Sequence, residues 1–306
     1  MNGVINVYKE KGFTSFDVCA KLRGILKTKK IGHTGTLDPD AEGVLPVCVG
    51  NATKLCELLT DKDKTYETVL YLGRTTDTED MTGNVLIERP VSCTKAEVTA
   101  VIERFVGKQQ QVPPMYSALK VNGQKLCDLA RQGIVVERKA REITIHSIHI
   151  IDMVCEEDGA VREVKMSVSC SKGTYIRTLC KDIGEALGCG GCMKQLLRTK
   201  VSVFEVAHSK TLSQIDDIVK NERINDILVP VDSLFLHLSK AIVKQENDVY
   251  LYNGNKLRPD QMDVTLKREA TGRFELRVYD SKVTFLGIYE YLPEEKCYKP
   301  VKMFLN

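Results

Sequence analysis

One imidazole and three carboxylates, His33, Asp38, Asp40 and Glu42, fall within ten consecutive residues of this chain. Groups of these types do acid–base and nucleophilic chemistry. They sit in the run Gly-His-Thr-Gly-Thr-Leu-Asp-Pro-Asp-Ala-Glu-Gly-Val-Leu-Pro, residues 32–46. Gly32, Gly35 and Gly43 allow backbone angles that a Cβ disfavours, and Pro39 biases Asp38 away from helix, so the segment reads as a shaped loop. Composition alone also fits an ordinary Gly/Pro turn. Residues elsewhere must decide between the two.

Other clusters offer less. Cys189-Gly-Gly-Cys192 has the spacing of a redox pair or half a zinc site, but no second pair lies at a useful distance. Asp77-Thr-Glu-Asp80 lacks the spacing of a calcium loop and reads as a solvated turn. Gly32-His-Thr-Gly has no following Lys-Ser/Thr, so it is not a phosphate loop. His146, His149, His208 and His237 show no partner pattern and read as structural or surface residues.

The elements around the loop can be read from periodicity. Residues 4–8 form a short buried strand, then Thr14 or Ser15 caps a helix whose inward face is Val18, Cys19, Leu22, Ile25 and Leu26. After the loop come a strand at 45–49, a short helix at 53–59 and an alternating strand at 65–72. Thr94 with Glu97 makes a capping box for a helix that runs to Gly107. The paired prolines keep 111–116 extended. Strands follow at 142–154 and 161–170, then a turn with Thr174 as a possible cap leads into a helix carrying Leu179, Cys180, Ile183 and Leu187 until Gly188.

Strands and helices without strict alternation predict an α+β fold with a mixed, largely antiparallel sheet flanked by helices. Beyond Pro230 short strands at 264–266, 274–278 and 283–289 predict a second, small β-rich domain, giving domains of 1–230 and 231–306.

Hydrophobic content of 43% and charged content of 28% are those of a soluble globular protein. The N-terminal residues lack signal-peptide order, no apolar run reaches bilayer length, and eleven scattered cysteines fit a reducing compartment, so a cytoplasmic protein away from membranes is expected. The net charge of +3 is small, but it is unevenly placed. Residues 1–31 hold seven Lys/Arg (Lys9, Lys11, Lys21, Arg23, Lys27, Lys29, Lys30) against two acids. Residues 118–141 hold six against two and read as an excursion from the main body. Two such segments, one abutting the loop, fit a nucleic-acid surface.

The loop run extended through Val-Cys-Val-Gly, together with Lys-Thr-Tyr-Glu (64–67), Val-Pro-Pro-Met-Tyr-Ser-Ala-Leu-Lys (112–120) and Gly-Thr-Tyr-Ile-Arg-Thr-Leu (173–179), closely resembles the TruB family of bacterial tRNA pseudouridine-55 synthases, in order and spacing. The resemblance covers about the first 210 residues and continues more loosely into a C-terminal RNA-binding domain of the PUA type. It implies isomerisation of one uridine in the tRNA T-loop, without any cofactor or metal, after the nucleotide is flipped out of the folded RNA. It assigns Asp38 as the nucleophilic carboxylate and Arg177 as its ion-pair partner, holding it ionised. Tyr66 would stack on the base and is a candidate acceptor of the C5 proton; His33, Tyr175 and Leu196 would contact the flipped nucleotide or line its pocket. On this reading Asp40 and Glu42 are simply solvated, and the loop glycines let backbone approach the nucleotide. The partner is the T-arm stem-loop of tRNA, gripped by the basic helix and the 118–141 insertion. A monomer with no obligate protein partner is expected. A tRNA-folding role, alone or beside catalysis, and a related synthase acting on another RNA are the alternatives.

Overall fold

The computed structural model describes residues 1–266 and 272–305 of the chain. Chain order begins β1 (Gly3–Lys9), α1 (Ser15–Ile25), β2 (Ile31–His33) and β3 (Glu42–Val49). A 3-10 turn at Gly50–Leu55 runs into α2 (Cys56–Thr60) and then β4 (Lys64–Leu72), where a single short helix was expected at 53–59. The hairpin β5 (Arg74–Thr76) and β6 (Val85–Glu88), α3 (Lys95–Glu103) and β7 (Gly107–Gln111) follow. The 118–141 excursion contains a small hairpin, β8 (Lys120–Val121) and β9 (Gln124–Lys125), and α4 (Leu126–Arg131). Then come β10 (Arg141–Cys155), β11 (Val161–Cys170), α5 (Ile176–Ala186), β12 (Gly191–Val201), β13 (Phe204–Glu205), α6 (Leu212–Lys220) and β14 (Leu228–Val229). The C-terminal part holds β15 (Ser239–Val243), α7 (Asp248–Tyr252), β16 (Met262–Thr265), β17 (Phe274–Tyr279), β18 (Phe285–Leu292) and β19 (Cys297–Met303).

Local chemistry explains the helix starts. Thr14 with Asp17, and Thr94 with Glu97, each form the reciprocal capping box, satisfying donors that the first turn leaves free. Ser15 is not the cap of α1 but its first residue. The N-cap of α5 is Tyr175, without a side-chain cap; Thr174 donates instead to the Ser171 carbonyl at 2.9 Å.

The main sheet has ten strands in the order β14-β1-β3-β12-β4-β11-β10-β7, with β2 on β3 and β13 on β12. Every pairing is antiparallel except β3 with β12, which is parallel and brief: Leu197 faces Glu42 and Arg198 faces Gly43. The fold is thus α+β with a mixed, largely antiparallel sheet, as expected from the sequence. Alternation sets the faces. Residues 64, 66, 68, 70 and 72 of β4 are buried, and α3 and α5 pack over Leu70, Leu72, Val164 and Val168 through Val98, Ile102, Leu179 and Ile183. Helices α1 and α6 cover β1 and β3 through Val18, Leu22 and Ile215 on Leu45, Val47 and Val49. The opposite face of β3, at Val44 and Cys48, joins a cluster with Ile288 of the second sheet and with Phe304, which follows its last strand. Because β3 is covered on both faces, it reads as an unbroken apolar run.

The second sheet, β16-β15-β17-β18-β19, has one parallel pair, β15 with β17, and makes a PUA-like β domain. Strands β17 and β18 overlap those expected at 274–278 and 283–289, while β16 begins two residues before the strand expected at 264–266. The sheet's β15 and β19 were not foreseen.

The site is prepared by a gap in the main sheet. Along one edge β3 pairs with β1 throughout; along the other it meets β2 at residues 47–49 and β12 at residues 42–43. Between those two partners residues 34–41 leave the sheet as a loop. The exposed β3 carbonyls there are taken by the loop and by β12: Pro46 O accepts from Thr34 N at 3.2 Å and Val44 O from Arg198 Nε at 2.7 Å. The nitrogen of Pro46 faces this same edge, so its missing N–H breaks no strand pairing.

Candidate active site

Asp38, Pro39, Asp40 and Ala41 form a turn closed by Ala41 N donating to Asp38 O at 3.1 Å, with Pro39 at the position where a proline's fixed φ suits a turn. The β1–α1 segment clamps this turn from below. Gly12 N donates to Pro39 O at 2.9 Å, and the Lys9 ammonium donates to the carbonyls of Glu10, Pro39 and Ala41. Ser15 Oγ accepts from Leu37 N at 2.9 Å and donates to Leu37 O at 3.3 Å, fixing the peptide that enters Asp38. Lys9 is therefore no part of the basic surface: it has no exposed area, and burial lowers its ammonium to about 8. The sequence could not separate it from the exposed Lys11, Lys21 and Lys27.

Arg177, in the first turn of α5 and 5% exposed, reaches Asp38 in a two-pronged pair, Nε to Oδ2 at 2.9 Å and Nη2 to Oδ1 at 3.2 Å. The structure thus brings these two residues together across 139 positions. Its remaining donors go to Tyr116 O at 2.7 Å and Thr78 O at 2.9 Å. Asp80 lies 3.9 Å from Arg177 Nε and is itself held by the hydroxyls of Thr78 and Thr82. The 77–80 turn is consequently not a solvated one. Asp80 and Glu79 are largely covered, and Glu79 accepts from Thr178 Oγ1 at 2.6 Å. The guanidinium does not outweigh burial at Asp38. Desolvation is the larger effect, Arg177 pulls the other way and Asp80 adds to the rise, so the carboxyl stands above its ordinary value. Arg177 thus acts in the direction expected from the sequence, but against a larger opposing effect of burial.

Tyr66 on β4 faces Arg198 on β12 as a cross-strand pair, and Leu196 shares that face two residues earlier. Arg198 is 1% exposed and donates to Val44 O, to Gly35 O at 3.2 Å and to Thr36 O at 3.4 Å, threading β12 into the loop. Its guanidinium also meets the Tyr66 phenol. Burial pushes that phenol up to about 12, with Arg198 opposing the rise. His33, on β2, accepts from Gly35 N through Nδ1 at 3.3 Å, which leaves Nε2 as the donor of the neutral ring. Burial and then Arg198 lower its pKa, favouring that neutral form. Tyr175 is set by Gln111, whose side-chain amide bonds both its N–H and its C=O, at 2.8 and 3.0 Å.

Two cavities meet at this point. One, of about 450 Å³, is lined by His33, Asp38, Tyr66, Tyr175, Arg177 and Leu196 among others, so every site residue expected from the sequence borders it. Lys64, Ser117 and Arg198 border it too. The other, of about 500 Å³, shares only Asp38 and Leu196 with the first and is lined by Asp40, Glu42, Glu67 and Asp80 against Lys11, Lys165 and Lys194. Glu42 proves to be the first residue of β3, accepting from Tyr8 Oη at 3.3 Å, while Asp40 stays exposed 4.0 Å from Lys11. Of the glycines, Gly43 lies against the Arg198 backbone, where a Cβ would come within 2.3 Å of its carbonyl oxygen, and Gly32 lies against Cys56. Of the three loop glycines, Gly35 alone borders the smaller cavity.

Arg198, Asp80, Ser15, Lys64 and Ser117 were not assigned to the site from the sequence. A signal existed for three of them: Lys64 and Ser117 lie inside the quoted motif runs, and Arg198 is two residues from Leu196, hence on the same strand face.

Comparison with known proteins agrees over the full length. The family described as TruB family pseudouridylate synthase (N terminal domain) matches residues 23–176, and that described as tRNA pseudouridylate synthase B C-terminal domain matches residues 177–236. The chain is 62% identical to the tRNA pseudouridine synthase B of Lachnoclostridium phytofermentans, covering 100% of both chains. It is 41% identical to that of Bacillus subtilis, covering 100% of this chain and 98% of the relative. Among solved structures, a Cbf5-Nop10-Gar1 complex contains a chain with a TM-score of 0.73 at 25% identity, covering 99% of this chain and 85% of that one. A chain of an H/ACA RNP bound to a substrate RNA containing 2′-deoxyuridine gives 0.72 at 23% identity, with the same coverage.

Proposed function

Because this chain belongs to the TruB family of tRNA pseudouridine synthases, we propose that it converts uridine 55 in the tRNA T-loop to pseudouridine, with Asp38 as the nucleophile. The observation that carries the reading is the Asp38 carboxylate, gripped by Arg177 on the wall of a cavity shared with His33, Tyr66, Tyr175 and Leu196. The reaction breaks the N1–C1′ bond, joins C1′ to C5, removes the C5 proton and returns a proton to N1. Substrate and product are isomers, so no oxidant or reductant is consumed. A carboxylate suits the task because it can bond transiently to sugar or base and then leave. Arg177 orients it, and a carboxyl whose pKa stands above its ordinary value is the more basic, and so the more nucleophilic, in its ionised form.

Tyr66 offers a ring for the uracil to stack on and, through its oxygen beside Arg198, a candidate acceptor for the C5 proton. Neutral His33, Tyr175 and Leu196 complete the walls. Flipping the nucleotide costs a few kcal/mol of unstacking, which stacking and phosphate contacts offset. The exposed Lys21, Lys27, Lys29 and Lys30 of the α1 region, the 118–141 insertion and the domain of residues 231–306 are the surfaces assigned to the rest of the RNA.

The test is Asp38→Asn. Pseudouridine formation on a T-arm hairpin should be abolished while hairpin binding changes only a few-fold, and substantial turnover by the variant refutes the assignment. Mapping modified positions in tRNA from a deletion strain checks the target: loss should fall at position 55.

A further inference from the structure

The cavities on either side of Asp38 differ in charge, and the difference points to a ligand group for one of them. The larger is lined by five carboxylates, Asp38 included, against three lysines. In the smaller, Asp38 is the only carboxylate, already held by Arg177, while Lys64 and Arg198 share the wall. The two cations are close: a Cβ at Gly35 would lie 3.8 Å from Arg198 Nη1 and 3.8 Å from Lys64 Cε. Neither has a carboxylate partner among the described residues. Lys64, 8% exposed, donates to Thr60 O at 2.8 Å and Lys62 O at 2.7 Å, and Arg198 donates to carbonyls and a phenol. Burial, and then Arg198, lowers the Lys64 ammonium to about 8.

Other residues of the same lining also suit an anion. The eleven-residue helix α5 starts there with no side-chain cap and no acid in its first turn. Ser117, 5% exposed, borders the same cavity with no well-formed hydrogen bond to its hydroxyl, although the Tyr175 phenol lies alongside. Buried hydroxyls rarely go unpaired, and an open helix N-terminus favours negative charge. We propose that Lys64, Ser117, Tyr175 and the N-terminus of α5 form a phosphate subsite that receives a phosphodiester of the target nucleotide. The proposal rests on the reading of the cavity as the uridine site and adds the group by which the nucleotide is held there.

T-arm hairpins in which the phosphodiester 5′ or 3′ of the target uridine is a neutral methylphosphonate test it. For the unaltered protein, one of the two linkages should weaken binding about tenfold, the size expected for a charge-assisted contact. In Ser117→Ala and in Lys64→Met the unmodified hairpin should bind more weakly, and the same neutral linkage should add less than twofold. Ser117→Thr, which restores the hydroxyl, should recover the coupling. Losses that simply add, or no loss at either linkage, overturn the subsite. The Ser117→Ala cycle decides the matter alone if Lys64→Met fails to fold. Turnover of the unmodified hairpin is measured in parallel: its absence sinks the functional reading, whereas turnover with additive losses sinks only the subsite.

Discussion

Replacing Arg177 by methionine removes the guanidinium that meets both oxygens of Asp38, at 2.9 and 3.2 Å, from a position 5% exposed. An opposite charge this near lowers a carboxyl pKa by about 1–3 units, and Asp38 stands above its ordinary value even with Arg177 in place. Without it, only the weaker pull of Lys9 opposes burial, and Asp80, 3.9 Å from the vacated nitrogen, adds like-charge repulsion. The reactive form is the ionised carboxylate, so activity is present above the pKa and lost as pH falls through it. The acid limb of the single-turnover rate should therefore move up by about 1–3 pH units in Arg177→Met. A second, pH-independent loss should accompany it, since misplacing a reacting group by about 1 Å costs on the order of a hundredfold. Arg177→Lys separates the two effects: it keeps the charge but not the fork, so its limb should stay near the unaltered one while the orientation loss remains. The assay is pseudouridine formation on a T-arm hairpin under enzyme excess from pH 5.5 to 9, with melting temperatures taken alongside because Thr78 O and Tyr116 O lose a donor. An Arg177→Met limb that coincides with the unaltered one refutes the reasoning, as does identical pH behaviour of the methionine and lysine variants.

Tyr66→Phe keeps the stacking face, so hairpin affinity should hold within about threefold, since base–aromatic stacking supplies about 1–3 kcal/mol regardless of the hydroxyl. Turnover should drop about a hundredfold or more if the phenol oxygen takes the C5 proton, and a loss below tenfold confines Tyr66 to stacking. Arg198→Met strands the buried Val44 carbonyl and takes a donor from the part-buried carbonyls of Gly35 and Thr36; at about 1–3 kcal/mol for a buried group left unpaired, urea unfolding should show a loss of about 1–3 kcal/mol. An unchanged midpoint would mean that the cost of burying the charge cancels its hydrogen bonds.

Much of the architecture was legible because β4 and β11 alternate cleanly and because Thr14 and Thr94 announce their helices. Strands β15 and β19 escaped because polar and charged residues punctuate them, and their burial comes from pairing with distant segments. The Asp38, Arg177 and Tyr66 set came from motif resemblance, not from periodicity. The residues that hold that set were illegible for a common reason: a charged side chain in a sequence is read as wet. Lys9, Arg198 and Asp80 are dry because other elements close over them, and only the assembled sheet shows which carbonyls or cations they meet. The same ignorance of partners made Glu42 look solvated and assigned the loop glycines to the nucleotide when two of them face protein.

The Arg198 side chain that fills the edge of β3 also sets an order of events during synthesis. It reaches Val44 and Gly35 across 154 and 163 positions, and Arg177 reaches Asp38 across 139. A ribosome adding about 5–20 residues per second needs roughly 8–30 s to cover the longest of these spans. Throughout that interval β3 lacks the partner that closes its second edge, and Asp38 lacks its guanidinium. A nascent chain stopped before β12 therefore carries every residue of the loop but not its working shape. The ability to act on RNA arrives late in translation, with one strand that lies far from the loop in sequence and beside it in space.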